Sequence, residues 1–288
     1  MSATFPVIAK SLFYAALITL TAAFALAQSA TPVTNINSHS VTQPMHREGL
    51  PTNFPTERVI IDAKQSPWNR IGNLSIAGRK FCSASLISDR VIVTAAHCLW
   101  NQNTEDWYPA QFIHFLAGYQ QEEYVAHSRA KNIFPNPNYQ FRVSVDPQQL
   151  SEDWALIELE EPLGLLLGYF SLQLLSPSQQ RQLQQSESHV ALAGYRRDTR
   201  EALSLDTQCQ LSPTPKHFPR NLLGNNCHGL SGDSGGPLLI QQAGYWHLLG
   251  IHAGRSIDSR QNTLALAIPT SAFYDQLLSI LSQTSLKR

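Results

Sequence analysis

An all-β fold of the antiparallel barrel or sandwich type, closed by one C-terminal α-helix, is what this sequence predicts. Three observations carry that expectation. Between Arg58 and Pro269 lie eight short runs rich in apolar, β-branched and aromatic residues: RVIID, SLISDRVIVTAA, QFIHFLAGY, DWALIELE, HVALAGY, GPLLIQ, YWHLLGIHAG and TLALAIP. Gly, Pro, Asn or Asp breaks most of the intervals, which is the turn chemistry that joins antiparallel strands. After Pro269 the period changes, and Phe273, Leu277, Ile280 and Leu281 of TSAFYDQLLSILSQ follow helical spacing, with Thr270 or Ser271 available as a cap.

The elements can be justified in order. Lys10 precedes SLFYAALITLTAAFALA, an apolar run ending on Ala25, Leu26 and Ala27. Its core, Leu12 to Leu26, is short for a bilayer span and is followed at once by polar Gln28, Ser29 and Thr31, so residues 1–27 read as a secretory signal rather than an anchor. The expected destination is extracellular or periplasmic. Residues 28–58, with Pro32, Pro44, Pro51 and Pro55 and no sustained periodicity, read as a prosegment or an extended arm. DWALIELE alternates as a strand, with Ala155, Ile157 and Leu159 on one face and Trp154, Leu156 and Glu158 on the other. The glutamine-rich segment 176–188 separates earlier strands from later ones, so it reads as a linker with a short helix starting at Pro177.

At 288 residues and 43% hydrophobic, the chain is long enough for one large or two small domains. A formal net charge of zero with 15% charged residues supplies no basic field, which argues against a nucleic-acid partner. Four cysteines, Cys82, Cys98, Cys209 and Cys227, suit an oxidising compartment and allow two disulfides in three pairings. No Cys-x-x-Cys or close Cys/His ligand cluster appears in the sequence, so no metal is expected.

The stretch GLSGDSGGPLL surrounds Ser234 with glycines. A serine hydroxyl is a poor nucleophile until a base takes its proton, and attack on a carbonyl needs donors for the charge that develops. His97, closing VTAAH, offers a base. Asp153, opening DWALIEL, offers the carboxylate that would fix its tautomer, whereas Asp146 and Glu152 do not begin the strand. Glycine conformations would let the amides of Gly232 and Ser234 turn toward one point. Gly232, Ser234 and Gly236 also spell the G-x-S-x-G elbow of another hydrolase fold, but that elbow needs a helix after the serine, and GPLLIQ reads as a strand.

FCSASLISDRVIVTAAHC, DWALIEL and GDSGGP resemble the histidine, aspartate and serine regions of trypsin-like serine proteases, in the family's order and 56 and 81 residues apart. The resemblance spans roughly residues 59–283. It implies two six-stranded antiparallel β-barrels, residues 59–175 with His97 and Asp153 and residues 189–288 with Ser234. It also implies an oxyanion hole at Gly232 and Ser234, a Cys82–Cys98 disulfide that leaves Cys209 with Cys227, and a polypeptide substrate without a cofactor. A monomer and a protease inhibitor as further partner fit the same expectation. A catalytically silent module of this fold is the alternative from another functional class, and such proteins usually lack a member of the triad.

GYR at 194–196, GIHAG at 250–254 and the Cys227-to-Ser234 spacing look like the bacterial glutamyl-endopeptidase branch, whereas Asp233 is more like the trypsin branch. Where trypsins carry an acidic residue six positions before the nucleophile, this chain has His228. His252 matches a histidine that binds a glutamate side chain in the glutamyl branch, so His228 and His252 are the candidates for an acidic specificity pocket. Gly229 departs from that branch, which often has a hydroxyl-bearing residue there. By similarity to trypsin-type zymogens, cleavage after Arg58 would free Val59 to pair with Asp233. The alternative is that Arg58 is retained and an internal cation meets Asp233. Ile61 and Asp62 replace the glycines that usually follow such a terminus.

Overall fold

Antiparallel strands need only short connections, so consecutive apolar runs pair with their chain neighbours and the sheet curls until its edges meet. The computed structural model describes residues 58–141, 147–186, 188–257 and 263–285. The expected signal and all but the last residue of the expected arm lie outside the described residues.

The described chain enters through β1 (Val59–Ile60). It continues through β2 (Ile71–Ile76), β3 (Lys80–Leu86) and β4 (Val91–Thr94). A small hairpin follows, β5 (Trp100–Asn101) with β6 (Asp106–Trp107), and then β7 (Ile113–Ala117), β8 (Ala126–Pro135) and β9 (Ala155–Leu159). The order β2-β3-β4-β9-β8-β7 closes on itself as a barrel, leaving no unpaired edge.

Beyond it come α1 (Leu163–Leu167), β10 (Ser171–Leu172) and α2 (Pro177–Gln185). The second set of strands is β11 (His189–Gly194), β12 (Ser204–Ser212), β13 (Leu223–Asn225), β14 (Pro237–Gln242), β15 (Tyr245–Ile257) and β16 (Thr263–Pro269). They run β12-β11-β14-β15-β16-β13, and β13 returns to β12, so this barrel is also six-stranded and closed. β1 adds to β12 from outside, and β10 adds in parallel to β15.

α2 begins at the expected proline. Ser176 Oγ accepts from the Gln179 amide while the Gln179 side chain accepts from the Ser176 amide, a complete capping box. Its glutamines then dock it, since Gln180 and Gln184 donate to the carbonyls of Leu222 and Ser212. The terminal helix α3 (Tyr274–Ser285) starts later than a Thr270 or Ser271 cap requires. Thr270 Oγ1 instead donates to the carbonyl of Gln173, and Thr270–Ala272 form a 3-10 turn.

Both faces of β9 are buried, because two cores meet there. Ala155, Ile157 and Leu159 point into the first barrel with Leu74, Ile92 and Phe115. Trp154 and Leu156 belong to a second cluster that joins Ile71 and Val93 to Leu248, Ile251 and Leu266 and to Phe273 and Leu277 near the C-terminus. Burying each such leucine or isoleucine contributes roughly 1.5–3 kcal/mol. The second barrel keeps its own interior of Val190, Leu192, Leu238 and Leu249 around the Cys209–Cys227 disulfide. Among the described residues, no helix is long and apolar enough to cross a membrane.

Candidate active site

β4 delivers the chain into a 3-10 turn, Ala96–Leu99, that presents His97 beside the cleft while burying Ala96, Cys98 and Leu99. The Cys82–Cys98 disulfide ties this turn to β3, and Lys80 Nζ donates to the His97 carbonyl at 2.6 Å. Asp153 follows another 3-10 turn, Pro147–Glu152, directly before β9, and is 4% exposed. Its Oδ1 accepts from the His97 amide at 2.7 Å and its Oδ2 meets His97 Nδ1 at 2.6 Å. An ionised carboxylate only accepts, so the proton sits on Nδ1 and the other ring nitrogen is left as an acceptor. Two contacts from one carboxylate therefore fix both the backbone and the ring plane of His97.

Ser234 lies in the loop between β13 and β14. A strand, not a helix, follows the serine, which removes the alternative hydrolase elbow. The loop is held from several sides: Gly235 N donates to the His252 carbonyl, His252 N to the Gly236 carbonyl, and Ser83 N to the Ser234 carbonyl. Gly232 adopts φ +97°, and a Cβ there would lie 2.3 Å from the Tyr195 carbonyl oxygen, so the position demands glycine. Among the described residues, no protein acceptor takes the N–H of Gly232 or of Ser234.

No local pattern marks Ser83 as part of the site. Its hydroxyl donates to the Gly232 carbonyl and accepts from the Tyr195 amide, and its own carbonyl accepts from Thr94 Oγ1. This one buried serine on β3 thus links the first barrel to the Ser234 loop of the second. Its position beside Cys82 was the only available signal.

Asp233 is fully buried behind Ser234. Burial pushes its carboxyl above the ordinary range, opposed by the nearby Arg58 guanidinium and the Leu230 amide. Arg58 grips it twice, Nη1 to Oδ2 at 2.8 Å and Nη2 to Oδ1 at 3.1 Å. In the uncut chain the cation beside Asp233 is thus the side chain of Arg58. Val59 itself pairs with Leu205 in β1.

A cavity of about 680 Å3 is lined by His97, Asp153 and Ser234 together with Gly229, His252 and Arg255. His228 is not among these lining residues. Its Nδ1 and its amide both engage Asp206 Oδ2, at 3.0 and 2.9 Å. Burial pushes the Asp206 carboxyl up, but the hydrogen bonds from His228 and Gln208 more than offset this and hold it below its usual range. His252 lines the cavity. It is 4% exposed, its Nδ1 has no hydrogen-bond partner among the described residues, and burial, reinforced by Arg58, His97 and Arg255, pushes its pKa down to about 3. Its ring covers Gly229, where a Cβ would lie 2.4 Å from His252 Cε1, so the glycine that departs from the glutamyl branch is required by the ring packed on it. Arg255, exposed on β15 at the cavity, was missed because nothing in GIHAGR marks which of its residues face the cleft.

Cys82, His97 and Cys98 bring their ligand atoms within 4.8 Å of one another. Both sulfurs are committed to the disulfide and His97 Nδ1 to Asp153, so the grouping does not present a ligand set for a metal.

Comparison with known proteins agrees with this architecture. Clotting factor C of Tachypleus tridentatus is 38% identical over 90 residues, covering 29% of this chain and 8% of that protein. Mannan-binding lectin serine protease 1 of Homo sapiens is 28% identical over 221 residues, covering 64% of this chain and 29% of that protein. The chain thus spans less than a third of the length of these curated relatives. A solved structure of a Glu endopeptidase superposes with a TM-score of 0.61 over 77% of this chain and 95% of that one, at 17% identity, a likeness of fold. A profile of the Trypsin family matches residues 60–277, and with that match spanning both barrels the chain belongs to the trypsin family of serine proteases.

Proposed function

We propose that the chain is an exported serine endopeptidase that uses His97, Asp153 and Ser234 and prefers an acidic residue before the scissile bond. The observation that carries this reading is the doubly bonded His97–Asp153 pair lining one cavity with Ser234. In the proposed cycle His97 takes the Ser234 proton as Oγ attacks the substrate carbonyl. The unclaimed N–H groups of Gly232 and Ser234 receive the oxyanion. The tetrahedral adduct collapses, the amine leaves with the proton from His97, and water hydrolyses the acyl-enzyme by the same route.

The acidic preference is supported by the cavity's nitrogen donors. Buried and neutral, His252 can donate one hydrogen bond, and Arg255 offers a guanidinium to a carboxylate. Export is supported by the apolar run before residue 28.

Reaction with a fluorophosphonate probe that disappears in Ser234→Ala tests the nucleophile. Digestion of an unbiased peptide library tests the preference, with cleavage after Glu or Asp as the expected result. Faster cleavage after Leu or Arg would remove the acidic assignment while leaving the endopeptidase intact.

A further inference from the structure

A carboxylate with no exposed surface is costly unless a cation meets it. Asp233 has such a cation in Arg58, whose side chain is only 1% exposed. The guanidinium is nearly saturated: beyond its two bonds to Asp233, Nη1 donates to the His228 carbonyl at 3.2 Å and Nη2 to the Ser204 carbonyl at 2.9 Å. The far side of Asp233 is shaped to match, since a Cβ on Gly194 would lie 2.3 Å from Asp233 Oδ1, and the Leu230 amide donates to Oδ2. The residues that follow are fixed as well. Val59 and Ile60 pair with Leu205 and Ser204, and Ile61 N donates to the Leu203 carbonyl.

We propose that Arg58 is the resident cation of the Ser234 loop and that the enzyme works with Arg58 still attached, so that any trimming of upstream residues stops before it. The proposal rests on the reading of Ser234 as nucleophile. Arg58 is a positioning residue in this scheme: it touches Asp233, and Asp233 lies between the two residues whose amides face the oxyanion. Cutting the Arg58–Val59 bond would leave the guanidinium on the departing segment and remove the cation from beneath the loop. The same burial hides the side chain that an arginine-specific activating protease must seat in its own pocket. A bidentate guanidinium fits a carboxylate in a way that a single ammonium at Val59 does not.

Three measurements on the full chain test this. The wild-type protein is labelled with a fluorophosphonate and the labelled chains are sequenced from the amino terminus. Labelled chains should begin at or before Arg58, and a labelled population beginning at Val59 overturns the proposal. Arg58→Gln should lower kcat by about a hundredfold with little change in KM, the scale expected when an oxyanion donor is displaced, and millimolar guanidinium should restore part of the rate. An unchanged kcat overturns the proposal. In the inactive Ser234→Ala chain, added trypsin should leave the Arg58–Val59 bond intact until urea unfolds the protein, and cleavage there in the native state overturns the seating of Arg58. Absence of labelling in every form would instead sink the nucleophile reading, and the trypsin result would still judge whether Arg58 is locked in place.

Discussion

The two halves of the site are held by different means. On the first barrel, His97 and Asp153 are fixed by a disulfide next door, a lysine on the backbone and two bonds between the pair itself. On the second barrel the groups to be aimed in the proposed mechanism are backbone amides, and their loop is fixed by a left-handed glycine, a buried ion pair and the reach of Ser83 across the interface. The contrast teaches that a side chain can be aimed by two well-placed hydrogen bonds, whereas a peptide N–H is aimed only when its whole loop is immobilised. Local chemistry suffices for the first, and long-range packing is needed for the second.

Several substitutions would break or sharpen that contrast. The largest effect is expected where both halves meet: Ser234→Ala or His97→Ala should lower kcat/KM on peptides by at least about a thousandfold with little change in melting temperature. Next comes the covalent support. Replacing Cys82 and Cys98 together by alanine opens a loop of 16 residues and should cost about 3 kcal/mol in denaturant unfolding, with lost activity because His97 adjoins the bridge. Replacing Cys209 and Cys227, separated by 18 residues inside the second barrel's own core, should cost a similar amount of stability with little loss of rate, and equal loss of rate in the two variants would erase the distinction. Gly232→Ala should cost about 1–3 kcal/mol through its left-handed φ and lower kcat more than it raises KM, measured by steady-state kinetics beside thermal unfolding.

Near neutral pH the smallest effect is that of His252, which emerges only in acid. Burial holds His252 neutral down to about 3, whereas an unfolded chain protonates its histidine near 6.5, so the unfolded state binds the extra proton between those values. Its favourable term is complete above that range and is lost as pH falls through it. His252→Gln should flatten the acid limb of unfolding free energy by about 1 kcal/mol per pH unit, read from urea melts at several pH values.

Much of this was legible because the informative residues cluster in sequence. His97 ends an apolar strand, Asp153 starts one, and Ser234 sits among glycines. Strands with β-branched or alternating apolar patterns were also visible. Among those that escaped, β8 and β12 carry small or polar residues on their buried faces. β8 hides Ser128 and Ala130 between exposed Arg129 and Lys131, so it lacks an apolar period. β12 buries Ser204 and Asp206, the groups that serve Arg58 and His228. The need of Asp233 for a cation could be argued from its own position, but its partner lies 175 residues away, and no local pattern encodes such a distance. The bond of His228 to Asp206, from a strand 22 residues earlier, is equally invisible in local sequence.

The apolar cluster that runs from Ile71 and Leu156 through Leu248 and Ile251 to Phe273 is shared by both barrels. Separating the halves would expose each one's share of that surface, so the two barrels are expected to unfold together. The molecule should therefore melt in one calorimetric transition, with the walls of the cleft parting only as the whole protein unfolds.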